Sequence, residues 1–146
     1  TNNEIASLYE RDILKLIEEV NSFKNEENLW NTCGTIKNSS GNIALHIIGG
    51  LNYLIGATLS HTGYVRNRDQ EFKIKGIDRK IIIGQLQGLL ELIKNTISQM
   101  TQEQIKSPFP IFFDKENPTN DYVLTQLLLH LNYHLGQVNY LRRSLE

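Results

Sequence analysis

The chain has 146 residues, 40% of them hydrophobic and 21% charged, with a formal net charge of −1. That length and balance fit one globular domain with a single core, residues 1–146, and exclude a disordered chain. The near-zero charge gives no general attraction to nucleic acid, and the only cysteine, Cys33, excludes an intrachain disulfide and points to a reducing interior.

The first residues, TNNEIASLYERDILKLIEEV, mix acids and bases among their apolar positions, unlike a signal peptide. No apolar run is expected to approach about 20 residues, so a cytoplasmic protein without membrane contact is the expectation. Helical periodicity predicts a first helix over 3–23, with Ile5, Leu8, Ile13, Leu16, Ile17 and Val20 forming its apolar stripe. The polar stretch that follows, with the only tryptophan, Trp30, reads as a loop lying against a bundle, and Ser39 or Ser40 can cap the next helix.

The second helix is predicted over 41–61. Its inward stripe contains Ile43, His46, Gly49, Gly50, Tyr53, Leu54 and Ala57. Glycine costs about 1 kcal/mol relative to alanine inside a helix, so the pair beside His46 predicts close helix approach or room for a ligand. Gly63 is expected to end this helix, and the charged segment YVRNRDQEFKIKGIDRK reads as a solvated connector. An anionic substrate could use its cations.

Asp78 is a good cap for a third helix over 79–100, whose buried positions are Ile82, Leu86, Leu89, Leu90, Ile93 and Ile97. All three prolines lie in the next segment, where SPFPIFF predicts at most a short extended piece or hairpin. Thr119 or Asn120 caps a fourth helix over 121–144. Four amphipathic helices with almost no strand-like alternation predict an all-α four-helix bundle, an architecture that builds metal sites from inward side chains of facing helices.

The chemistry lies in LLLHLNYHLGQ. His130 and His134 are four residues apart, so both rings lie on one helix face one turn apart and can reach one ion. Val123, Leu127, His134, Val138, Leu141 and Leu145 fall within roughly 60 to 80° of His130 on one side, which predicts core-facing histidines. A buried imidazole without a partner costs on the order of 1–3 kcal/mol, and a metal would satisfy both at once. With His46 on the second helix, the pattern predicts a three-histidine metal site. The competing reading of any one of them is a core histidine hydrogen-bonded to a carbonyl.

His61 is set aside, because about 22 Å of intact helix at about 1.5 Å per residue separates it from His46. A helix C-terminus suits it better. Cys33 stands in a polar loop with nothing beside it to activate a thiol. Gln137 shares the face of His130 and His134 and either orients a ligand, water or substrate or is an ordinary polar residue at the bundle's end. Asn42, one turn before His46, carries the same two readings. Tyr53 and Tyr133 lie toward the site's side of their helices, but core aromatics with satisfied hydroxyls are the favoured reading.

In LHIIGGL around His46, HLNYHLGQ from His130 to Gln137, and ENPTNDYVLT before the last helix, the chain resembles the DinB-like superfamily. The resemblance covers most of the chain and implies a four-helix bundle with a crossover connection, often dimeric. It also implies a divalent metal held by His46, His130 and His134. Several relatives in that superfamily are thiol S-transferases using a low-molecular-weight thiol such as bacillithiol, mycothiol or glutathione, and others are thiol-dependent isomerases. No separate thiol-binding signature stands in this sequence.

Three neutral imidazoles leave at least one position on an ion open, where the pKa of a thiol or water falls toward neutrality. Imidazole ligation suits zinc, nickel, iron or copper rather than magnesium or calcium, and zinc or nickel is the expected cofactor. The rival expectation is a non-catalytic metal-binding bundle with a structural or stress-response role, which a fourth protein ligand closing the site would favour. A homodimer is also expected, because Ile81, Ile82 and Ile83 in succession present more apolar directions than one inward stripe needs; the competing reading is that the long flanking loops cover that surface within one chain.

Overall fold

The computed structural model describes residues 2–146. Helix α1 spans Asn2–Ser22 and buries Tyr9, Ile13, Leu16 and Val20, the stripe that its periodicity predicts. A short 3₁₀ helix, Glu26–Trp30, occupies the following loop and places the Trp30 ring over Gly41, where a Cβ would come within 2.6 Å of it. Ser39 then caps α2, Ser40–Leu51, by accepting from Asn42 N. The helix widens into a π-helical stretch, Asn52–Ala57, and closes with a last α turn, Thr58–Ser60. It stops earlier than Gly63: His61 itself takes the left-handed conformation with φ 54°, and Thr62 N donates to Gly56 O across the widened turn.

Three more helices follow before the last. Helix α3, Arg68–Lys73, lies inside the segment expected to be a solvated connector. Helix α4, Arg79–Ser98, is capped by Asp78, whose side chain accepts from Lys80 N. Helix α5, Gln102–Lys106, is started by a reciprocal pair of bonds between Thr101 and Gln104. The expected hairpin reduces to one antiparallel bridge between Pro108 and Thr119, because two prolines remove the donors a ladder needs. Helix α6, Asn120–Leu145, begins at Thr119, whose hydroxyl accepts from Tyr122 N.

Helix directions follow from the polar pairs that join them. Lys94 donates to Glu10 (2.6 Å) and Arg79 to Asn21 O (2.9 Å), so α1 and α4 are antiparallel. Asn132 donates to Asp12 (3.0 Å) and Asn139 to Glu19 (2.9 Å), a step of seven residues in the same direction on each helix. Helices α1 and α6 are therefore parallel. Ser60 meets Thr96 at 2.6 Å, while Gly56 packs against Leu92, which makes α2 and α4 parallel as well. A bundle whose second and third long helices run the same way needs a crossover between them. Residues 61–78, including α3, are that crossover.

The core is a continuous cluster of Tyr9, Ile13, Leu16, Ile55, Ile82, Leu86, Leu89, Ile93, Val123, Leu124 and Leu131, with the Tyr9 hydroxyl donating to Leu124 O. Burying the Asp12 and Glu19 carboxylates is tolerated because Arg11 and Asn132 meet the first and Asn139 and Arg142 the second. One helical stretch, Ser40–Ser60, is long and apolar enough by length and composition to cross a membrane, with mean hydropathy 1.4. That corrects the expectation that no apolar run approaches such a length. Here the stretch is a core helix: Asn42 and His46 on it are engaged by side chains and backbone of the crossover.

Candidate metal centre

His46 comes from the middle of α2 and His130 and His134 from successive turns of α6, where these two helices pack antiparallel. The structure brings the three together: one ring nitrogen from each lies within 4.8 Å of the other two. The rings meet edge to face, with centroids 5.4 Å apart for His46 and His130 and 5.1 Å for His46 and His134. Only His46 is buried. His130 is exposed and His134 half-buried, which corrects the expectation of two core-facing histidines. Leu127, Leu131, Leu135 and Val138 are the buried residues around them, so the pair lies on the edge of the apolar stripe, opening onto a cavity.

Each imidazole's second nitrogen decides what its first can do. His134 Nδ1 donates to Gln137 Oε1 at 2.7 Å, which leaves its Nε2 as a lone pair, 2.9 Å from His130 Nε2. His46 Nδ1 donates to Glu71 Oε1 at 3.1 Å, which leaves Nε2 of that ring as an acceptor too. Partial desolvation, reinforced by His134, His46 and Arg66, pushes His130 down to about 4, so its ring is neutral near pH 7. Burial likewise lowers His46, although the Glu71 contact opposes it. With His134 Nε2 accepting, His130 Nε2 is the donor of that contact, and an ion would take the place of this proton. Three converging imidazoles, two of them oriented by an acceptor on the far nitrogen, are a donor set that suits a divalent transition metal. No fourth histidine, cysteine or carboxylate joins them among the described residues.

Glu71 was not legible as a site residue, since it stands in the segment read as a solvated connector. Asn67 caps α3 by accepting from Gln70 N, and this turn carries Glu71 inward to 7% exposure. Arg66 chelates its carboxylate, Nε to Oε2 at 2.9 Å and Nη2 to Oε1 at 3.0 Å. Gly49 and Gly50 make the room: a Cβ on Gly49 would overlap the Glu71 carboxylate, and one on Gly50 would sit 3.3 Å from Arg66 Nη2. The glycine pair therefore accommodates an ion pair from the crossover. The one available signal was Asn67 followed by Gln70, a capping pattern inside charged sequence.

Asn42 lies away from the ring nitrogens and acts as a clamp. Its amide donates to Glu71 O (2.9 Å) and Ile74 O (2.8 Å), and its carbonyl accepts from Ser39 and Lys75, which ties α3 to α2. Gln137 is in direct contact with His134. Tyr53 is half-buried in the π-helical stretch, two turns beyond His46, and lines neither cavity around the histidines. At seven residues, about 10 Å, along the helix from His46, it lies too far to join the ring nitrogens. His61 and Cys33 are outside the cluster.

Two cavities border the histidines. The larger, about 640 Å³, is lined by all three, by Gln137 and by apolar residues including Ile43, Phe72 and Leu141. The second, about 430 Å³, lies against His46 and His130 and is lined by Leu51, Leu54, Phe113 and Leu127. An all-helical bundle with a crossover and a three-histidine cluster that can hold a divalent metal is a DinB-like architecture. No curated protein matches the chain. The family described as "Protein of unknown function (DUF1572)" matches residues 5–146, nearly the full length, and the chain belongs to that family.

Proposed function

We propose that the protein is a metal-dependent thiol S-transferase, with His46, His130 and His134 as ligands of zinc or nickel and a low-molecular-weight thiol attacking a small electrophile. The observation that carries this reading is the open side of the three-histidine cluster, which faces a cavity of about 640 Å³, within the roughly 300–1,000 Å³ of small-ligand sites. A divalent ion there supplies Lewis acidity, which keeps a thiol deprotonated near neutral pH. The chain's own part is orientation. Glu71 and Gln137 hold two imidazoles by their Nδ1–H groups, and Arg66 keeps Glu71 from turning away. Phe72, Ile43 and Leu141 give the cavity an apolar wall against which the non-reacting part of a small electrophile would pack.

The structural alternative calls for a closed ligand shell, and the open cavity favours the catalytic reading. The proposal extends to a cytoplasmic homodimer with one complete centre in each subunit, since all three histidines converge within one chain. Its test is a screen of zinc- and nickel-loaded protein with bacillithiol, mycothiol, glutathione and cysteine against a chromogenic electrophile. Metal-dependent turnover with at least one thiol, lost in His134→Ala, is the expected result. Turnover with none of them in either metal form would overturn it.

A further inference from the structure

The two cavities beside the histidines share a trait: neither is lined by an acidic side chain, and both are lined by cations. Arg66 in the smaller cavity is already matched by Glu71. Lys37 and Arg68 in the larger one make no ion pair among the described residues. Arg68 is held differently. Its guanidinium lies over the Phe72 ring, 5.6 Å from the centroid, and Phe72 in turn packs on His46 with centroids 5.0 Å apart. The stack that borders the histidines thus also fixes a cation at the cavity mouth.

Charge balance gives this arrangement its meaning. Three neutral imidazoles bring no negative charge to a divalent ion, and the nearest carboxylate is matched by an arginine. The ion, Lys37 and Arg68 then leave an uncompensated positive field over a cavity whose walls are otherwise largely apolar, and such a field selects an anion.

We propose that Lys37 and Arg68 bind a carboxylate, or a similar oxyanion, carried by the small thiol, so that its sulfur faces the histidines while its charged end is held at the cavity mouth. This rests on the thiol-transfer reading, but the anion site can be tested separately from it. Both residues are exposed, so replacing them leaves the core intact.

The experiment is calorimetric titration of zinc-loaded wild type and Lys37→Gln/Arg68→Gln with N-acetylcysteine and with its uncharged amide. Comparing the acid-to-amide preference between the two proteins cancels the difference in thiol acidity. The wild-type preference for the acid should exceed the variant's by about tenfold or more, as expected for a charge-assisted contact, with amide affinity equal in both. Equal preference in the two proteins would overturn the proposal. If neither thiol binds, the thiol reading fails, and succinate titrated into the same proteins decides the anion site. Binding to wild type that weakens about tenfold in the variant keeps it, while equal binding or none removes it.

Discussion

Glu71 Oε1 lies 3.1 Å from His46 Nδ1, both residues being buried, so a carboxylate from the crossover fixes the tautomer of a histidine on α2. Such a contact orients a ligating ring and raises its basicity. Glu71→Gln should therefore weaken zinc affinity about 10- to 100-fold while leaving the helical content intact. Competition with a chromogenic chelator measures it, and an unchanged dissociation constant would separate the carboxylate from the centre.

Gly49 should be intolerant of a methyl group for a local reason. A Cβ there overlaps the Glu71 carboxylate, so Gly49→Ala must displace the Arg66–Glu71 pair and lower both thermal stability and zinc affinity. Gly84, on an exposed turn of α4, has nothing within 4 Å of its Cβ position. Gly84→Ala should raise stability by about 0.4–1 kcal/mol. Equal effects of the two substitutions in denaturant unfolding would contradict this account.

Asn42→Ala removes the amide that serves Glu71 O and Ile74 O. Leaving buried acceptors unserved should cost about 2–4 kcal/mol. Faster amide exchange across 66–74 should accompany the loss, since those residues are tied to α2 through this side chain. A variant that keeps wild-type exchange there would show that the crossover is held by other contacts.

Association is expected to bury apolar surface that one chain leaves open. Ile82 faces the core, but Ile81 is 53% exposed, and α6 shows Leu129, Tyr133 and Tyr140 at 59%, 65% and 71%. Light scattering should give the mass of two chains at micromolar concentration. A single-chain mass throughout that range would count against the dimer.

The four long helices were legible because each carries an apolar stripe over many turns, as with Ile82, Leu86, Leu89 and Ile93 on α4. The caps at Asp78 and Thr119 were legible because their side chains act locally. Helices α3 and α5 were not, since six and five residues are too few to show a period. Glu71 was hidden for a different reason. Its burial depends on Gly49 and Asn42, far away in sequence, and the Asn67–Gln70 capping pattern in RNRDQEFK announces a helix start but not which side chain it buries.

The most direct test of the three-histidine assignment is zinc content by elemental analysis after metal loading and desalting. Wild type and His61→Ala should hold one ion per chain, and His130→Ala and His134→Ala should lose most of it while remaining helical by circular dichroism. Stoichiometric zinc retained by His130→Ala would contradict the account.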